Sequence, residues 1–268
     1  NFDVDAKPSV RAFAKPLYHL PYAPDDCEAN DSAFVQKRIT ELASTTQRYE
    51  SERMVQFEIE FIERLCPRGS LYPASYEDVY EKQNRPSQRR ILLDAVNSGG
   101  VRVDRTVRSF MKRETYPHPK DPRPISTIVA EDKLEWSQFC YALADAVKKH
   151  GWYAFGHSPH TIAKRVAEIC RNALEGANKS DHGRMDGRID ELVRLFEKRI
   201  LTHCFDSKYV AQAVELARTQ YNNRARTRHG VKYDTGDARL SGSPETSMFN
   251  TCLNAAIVYS TWRYLGVS

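Results

Sequence analysis

Three stretches of this sequence hold side chains whose types and spacing could do chemistry. The first, Asp181-His-Gly-Arg-Met-Asp186, sets two carboxylates five positions apart. By themselves two carboxylates at this spacing read as surface residues, and Asp186 ahead of Ile189 as the cap of a following helix. The second, Phe110 to Ser126, carries Lys112, Arg113, Lys120 and Arg123 around Glu114, among Pro117, Pro119, Pro122 and Pro124. Guanidinium groups grip phosphate oxygens in pairs, and prolines stiffen a loop that presents such cations. A proline-rich exposed connector with ordinary salt bridges is the plain alternative. The third runs from Asp237 to Tyr259. Ser241-Gly242 reads as a small loop with outward backbone donors, and Ser243-Pro244 as a helix start. No charged residue falls between Thr246 and Thr261, so that helix is expected to be buried on most sides. Thr246, Asn250 and Asn254 nevertheless recur on one helical face. A buried amide without a partner costs about 1–3 kcal/mol. The polar stripe is therefore expected to face a polar ligand or another buried polar element.

Ser241-Gly242, Thr246 and Asn250-Thr251 match the S-G-x-x-x-T-x-x-x-N-[ST] pattern called motif B in RNA-dependent RNA polymerases of positive-strand RNA viruses. The wording SGSPETSMFNT resembles the tombusvirus-like members of that group. Asp181 and Asp186 are similar to motif A, D-x-x-x-x-D. That resemblance implies Asp181 as the catalytic, metal-holding residue at a strand end, and Asp186 with Asn250 as readers of the ribose 2′-hydroxyl. Glu175 to Ser180 is polar for a buried strand. Lys112-Arg-Glu114 and Lys120-Asp-Pro-Arg123-Pro-Ile-Ser126 resemble motif F. By that likeness Lys112, Lys120 and Arg123 contact triphosphate or template, with Glu114 paired to a neighbouring base. Ser241, Gly242 and Thr246 join the implied nucleotide site. Tyr80 to Arg90 is similar to a fingers segment near the template entry, which implies Arg85 and Gln88 as RNA contacts. Trp152 to Gly156 resembles the segment that precedes motif A. The motifs stand in family order. Motif C, a Gly-Asp-Asp hairpin, has no counterpart here, since Gly236-Asp237 is followed by Ala238.

The elements that must position these residues read as mostly helical. The chain has 268 residues, with 40 Lys and Arg against 35 Asp and Glu. That length suffices for one large or two ordinary domains. Helices are expected from Asp31-Ser32 through Leu42, then over Val55, Ile59, Ile62 and Leu65, and at Tyr76 to Tyr80. Further ones are expected over Trp136, Phe139, Leu143 and Val147, and over Ile162, Val166, Ile169 and Ala173. Two more follow, over Ile189, Val193, Phe196 and Ile200, and over Tyr209, Val210, Ala213 and Leu216. Residues 1–30, with Pro8, Pro16, Pro21 and Pro24, read as an extended arm. Val101 to Met111 is the best strand candidate, and residues 221–240 read as a basic loop. Arg102 through Arg123 and Arg218 through Lys232 are basic stretches suited to a phosphate backbone or to a solvated face. The six cysteines form no C-x-x-C pair, which points to reduced thiols rather than disulfides or zinc. His157 and His160 have ligand spacing, but Pro159 lies between them. No apolar run is long enough to cross a bilayer.

The expected fold class is therefore α+β: a helix-rich right-hand polymerase fragment, fingers plus the first part of the palm, with both ends cut and thumb and motif C absent. The resemblance divides it into 1–70, arm and helices of the fingers; 71–130, fingers with the motif F loop; 131–205, palm helices and motif A; 206–236, a fingers insertion; and 237–268, the motif B loop and helix. It implies template-directed RNA synthesis with Mg2+ or Mn2+, RNA template, nascent RNA and ribonucleoside triphosphates as partners, and the host cytoplasm as location. The chain alone is expected to be inactive. A non-enzymatic RNA-binding protein and a Mg2+-dependent phosphohydrolase built on Asp181 and Asp186 are the rival readings.

Overall fold

A computed structural model describes residues 22–43, 50–83, 85–98, 104–173, 176–177 and 180–267. Pro8, Pro16 and Pro21 of the expected arm, and Arg102 of the first basic stretch, lie outside the described residues. The class is α+β and helix-rich, as expected, with ten α-helices and one four-stranded sheet among the described residues.

The core is built by helices whose apolar residues repeat at helical spacing. Helix α3 spans Glu52–Glu63, α6 Ala130–Val147, α8 Glu191–Cys204, α9 Ser207–Arg218 and α10 Thr246–Tyr264. They converge on Trp136, Phe139, Leu143, Phe196, Ile200, Phe249 and Cys252, all at most 2% exposed. Trp136 is flanked by Phe139 and Phe249, ring centroids 6.4 Å away in each case, a separation that lets aromatic faces stack while excluding water. The spacing over α6 thus places its four expected core residues inside. On α3 the buried face is instead Phe57, Phe61 and Ile62, and Ile59 is 39% exposed. A second, smaller cluster joins α4 (Tyr76–Lys82) and α5 (Pro86–Asn97) to α6 through Val79, Leu92 and Leu134. Ser75 and Asp78 form a reciprocal capping box at the start of α4.

Other helix starts differ from those the sequence suggests. α1 spans Glu28–Val35 and begins at Cys27, not at Asp31-Ser32. Asp31 lies within it, fully buried, and accepts the His229 backbone N–H at 3.1 Å. α1 continues through a π-helical turn, Gln36–Thr40, into α2, Glu41–Ala43. α7 (Pro159–Asn172) forms where expected and is capped by Ser158, yet it buries nothing: Val166 is 53% and Ile169 49% exposed. Its amphipathic spacing was sufficient to make a helix, but no described element covers the stripe.

The sheet has strand order β2-β1-β3-β4, from Val107–Met111 (β1), Pro124–Thr127 (β2), Arg224–Thr227 (β3) and Lys232–Asp234 (β4). β1 pairs antiparallel with β2 and parallel with β3, and β3 pairs antiparallel with β4. Residues 221–240 are therefore not simply looped. Each of β1 and β3 alternates buried and exposed residues, the period of a half-buried strand.

Candidate nucleotide-binding site

A cavity of about 820 Å³ lies where the β1–β2 loop, the Asp181–Gly187 segment, the Arg239–Ser243 loop and the start of α10 meet. Its lining includes Lys120, Arg123, Asp181, Asp186, Ser241, Thr246, Asn250 and Asn254. Three stretches remote in sequence thus share one space, and the polar stripe of α10 faces it.

Asp186 and Asn250 form the centre. Asp186 sits in a short 3-10 turn, Met185–Arg188, rather than capping α8; Asp190 does that, accepting the Val193 N–H at 3.1 Å. Asn250 Nδ2 donates to Asp186 Oδ1 at 2.8 Å, and Ser241 Oγ donates to Asp186 Oδ2 at 2.7 Å. The Arg239 backbone N–H reaches the Asp186 carbonyl at 2.8 Å. Asn250 Oδ1 accepts from Arg239 Nε at 2.7 Å. Because Arg239 can only donate, it fixes which end of the Asn250 amide faces Asp186.

Arg239 is itself held in a buried quartet that the sequence did not reveal. Arg194 Nη1 donates to Glu197 at 2.8 Å and to Glu245 at 3.0 Å, and Arg239 Nη1 donates to Glu245 at 2.8 Å. Arg239 also bonds Glu197. Trp136 Nε1 completes Glu245 at 2.9 Å. Two positive and two negative groups balance inside the protein. Burial alone would lower the Arg194 pKa, but Glu245 and Glu197 outweigh it and raise it above the ordinary arginine value.

The 241–246 loop is shaped by packing as well as by bonds. A Cβ on Gly242 would stand 2.0 Å from the Ser126 carbonyl oxygen, so glycine is needed for the loop to lie against β2. Gly242 does not line the cavity. Thr246 Oγ1 donates to the carbonyls of Leu240 (2.9 Å) and Ser243 (3.0 Å), which spends its hydroxyl on the loop. Helix α10 begins at Thr246 after Glu245, two residues later than Ser243-Pro244 suggested. Nor is it buried on most sides: Ile257, Val258, Trp262 and Tyr264 are 38–63% exposed.

Asp181 is exposed and lines the cavity; residues 180–184 form no strand, and of the segment expected to lead into it residues 174–175 and 178–179 lie outside the described residues. Beside it His182 Nε2 lies 3.0 Å from Asn254 Oδ1. Among the described residues no three His, Cys, Asp or Glu side chains gather as a metal site. Asp186 accepts one bond at each oxygen, and Asp181 is the second carboxylate that lines the cavity, an oxygen donor of the kind a hard cation takes.

The expected phosphate-gripping loop is the connection of the β1–β2 hairpin. Lys120 and Arg123 line the cavity; Lys112 does not. Glu114 takes Lys112 at 2.8 Å and Arg123 at 3.3 Å. Burial opposes ionisation of Glu114, yet Lys112, Tyr116 and Arg123 together hold its carboxyl below the usual range. Burial, aided by Glu114, pushes the Tyr116 phenol up to about 12. Arg38 from the π-helical turn donates to the carbonyls of Pro122 (2.7 Å) and Asp121 (3.0 Å), and Arg184 pairs with Asp121. These two arginines also line the cavity and were not singled out from the sequence. Arg184 lay in plain sight inside the Asp181–Asp186 interval; nothing local marked Arg38. Arg85 and Gln88 lie outside the cavity. Arg85 precedes α5, and Gln88 Oε1 accepts from Lys133 Nζ at 2.5 Å.

No family model matches the chain. Individual relatives do. It is 28% identical, over 99% of its length, to the RNA-directed RNA polymerase of Atlantic halibut nervous necrosis virus. It is 30% identical over 88% of its length to that of Pariacoto virus, and 27% identical over 87% to that of Flock house virus. Over most of its length the chain is thus homologous to viral RNA-directed RNA polymerases. These relatives are nodaviral, and they do not bear out the tombusvirus-like subgroup. The chain spans about a quarter of their length: 28% of the first and 24% of the other two.

Proposed function

We propose that this chain is the fingers and first palm portion of a viral RNA-dependent RNA polymerase, and that the 820 Å³ cavity receives the ribonucleoside triphosphate. The supporting observation is the 2.8 Å bond from Asn250 to Asp186, joining segments 64 residues apart at a cavity that also presents Lys120 and Arg123. Asp186 and Asn250 read the ribose 2′-hydroxyl, with Ser241 as the hydroxyl that holds Asp186 when no sugar is present. Lys120 and Arg123 attract the triphosphate; Lys112 acts through Glu114, and Gly242 and Thr246 set the loop. Arg38 and Arg184 hold the β1–β2 loop in place. Asp181 is the oxygen ligand this chain offers to Mg2+ or Mn2+, an ion that neutralises phosphate charge when bound. In this reading the sequence divisions 1–70, 71–130, 131–205, 206–236 and 237–268 keep their fingers and palm roles, and the RNA template, nascent RNA and nucleotides are the partners. Synthesis takes place in the host cell, in the cytoplasm. No helix among the described residues is long and apolar enough to cross a membrane.

The test is calorimetric binding of ATP and 2′-deoxyATP to the 268-residue chain. A site built to bond a hydroxyl rejects the sugar that lacks it, because its own groups are left unpaired. ATP is expected to bind at least tenfold tighter, and Asn250→Ala to erase that difference with folding intact. Equal loss for both sugars would make Asn250 a packing residue. Arg85 and Gln88 as template contacts rest on the resemblance alone, since they lie outside the cavity.

A further inference from the structure

We propose that the outward face of the four-stranded sheet is a track for single-stranded RNA, held through its phosphates and by one stacked base. Strand register carries the argument. Arg108 on β1 is paired with Arg226 on β3, and Arg226 with Lys232 on β4, so three cations stand in one row across three neighbouring strands. At just under 5 Å between strands the row is roughly 10 Å long. Like charges directly opposite each other destabilise a sheet. A row of three is therefore costly to the free protein and is relieved by an anion that lies along it.

No acid among the described residues supplies that anion. Among the described residues Arg108, Arg224, Arg226 and Lys232 make no ion pair, whereas nearby Arg113 and Arg228 are both taken by Asp26, at 2.9 and 2.7 Å. The acids on this face are Asp104, which accepts from Thr106 at 2.7 Å, and Asp234, in register with Arg224. Phe110 lies on the same face two residues beyond Arg108 and is 39% exposed. An aromatic ring beside a row of cations is what base stacking plus backbone attraction requires. A separate open cavity of about 1180 Å³ lies over these residues. It is distinct from the nucleotide cavity, which meets the opposite side of the sheet at Pro124 and Ser126. RNA as the polyanion rests on the polymerase reading; the track itself rests on the row.

The experiment is fluorescence anisotropy with a labelled oligouridylate, which has no secondary structure of its own, titrated with the 268-residue chain. The triple substitution Arg108→Thr, Arg226→Thr and Lys232→Thr keeps good strand formers in place. It should weaken binding at least a hundredfold at low salt and lower the salt slope by about 2, roughly 0.7 for each lost phosphate contact. Its melting temperature should not fall, because the opposed charges are gone. Phe110→Ala should cost about tenfold with the slope unchanged. A control removing equal charge from exposed α7, Lys164→Thr, Arg165→Thr and Arg171→Thr, should stay within twofold. Loss in this control as large as in the triple variant, or unchanged affinity and slope in the triple variant, overturns the track. The unsubstituted chain is titrated in parallel with ATP, beside its oligouridylate binding. A failed ATP test with this binding intact therefore removes the nucleotide site and leaves the track; the reverse pattern removes the track alone.

Discussion

Arg194 and Arg239 lie in the interior among Glu197, Glu245 and Trp136, whereas Arg108, Arg226 and Lys232 stand in water on the outer sheet face, with no acid among the described residues paired to them. The interior group is balanced, two charges against two. Its arginines are too well satisfied to meet a ligand, so what they do is fix geometry, above all the orientation of the Asn250 amide. The outer group is unbalanced among the described residues. Lys120 and Arg123 at the cavity fall between these extremes, the first resting over the Tyr116 ring and the second shared with Glu114. Partnering, more than residue type, separates cations that build the protein from cations offered to something else.

The sharpest way to break this comparison is to remove one member of each group. Arg239→Ala leaves Glu197 and Glu245 buried and under-compensated, and is expected to cost about 3–5 kcal/mol of stability. Arg226→Ala, at an exposed position of the outer row, should stay within about 0.5 kcal/mol. Urea denaturation measures both, and similar losses would mean that burial does not distinguish the two groups. Next in size is Gly242→Ala. The added methyl would meet the Ser126 carbonyl at 2.0 Å, and an overpacked contact of this kind costs about 1–3 kcal/mol. The same melts should show it, with ATP affinity falling as Ser241 is displaced; a fully stable variant would show that the loop is free to move. The smallest effect concerns Asp26, which the hydrogen bond from Arg113, then those of His229 and the charge of Arg228, hold below the usual aspartate range. A carboxylate whose pKa is lower folded than unfolded adds stability above its unfolded value, and loses it as pH falls through the folded one. Between pH 5 and 3 the chain should therefore lose slightly more stability than Asp26→Asn does, and coincident pH profiles would remove Asp26 from the account.

What the sequence made legible was local. Trp136, Phe139, Leu143 and Val147 announce α6 because a helix repeats every few residues, and that period survives without its neighbours. Thr246, Asn250 and Asn254 likewise announced a polar face turned to something polar, which proved to be the cavity. The strand β3 was not legible. Arg-Ala-Arg-Thr alternates as a strand should, but its charges read as a loop, and its partner β1 lies over a hundred residues earlier. The quartet was hidden for the same reason. Arg194 and Glu197 look like the polar side of an amphipathic helix, and only the return of Arg239 and Glu245 places them inside. The lack of charge in α10 also misled: an uncharged helix need not be a buried one, as Trp262 shows at 58% exposure.

The parallel pairing of β1 with β3 has a consequence for how the chain reaches its fold. The hairpin of β1 and β2 is local and is expected to be made early, but a two-stranded ribbon is marginal in water by itself. Its third strand must come from the far side of α6, α7, α8 and α9, closing a loop such as that between Ser109 and Tyr233, 124 residues long. Long-range closure of this kind slows folding, because chain entropy is lost before the contacts that reward it are made. The helices of the core can assemble while the sheet is still open. Completion of the cavity floor and of the outer basic row is then expected late, when β3 and β4 dock onto the hairpin.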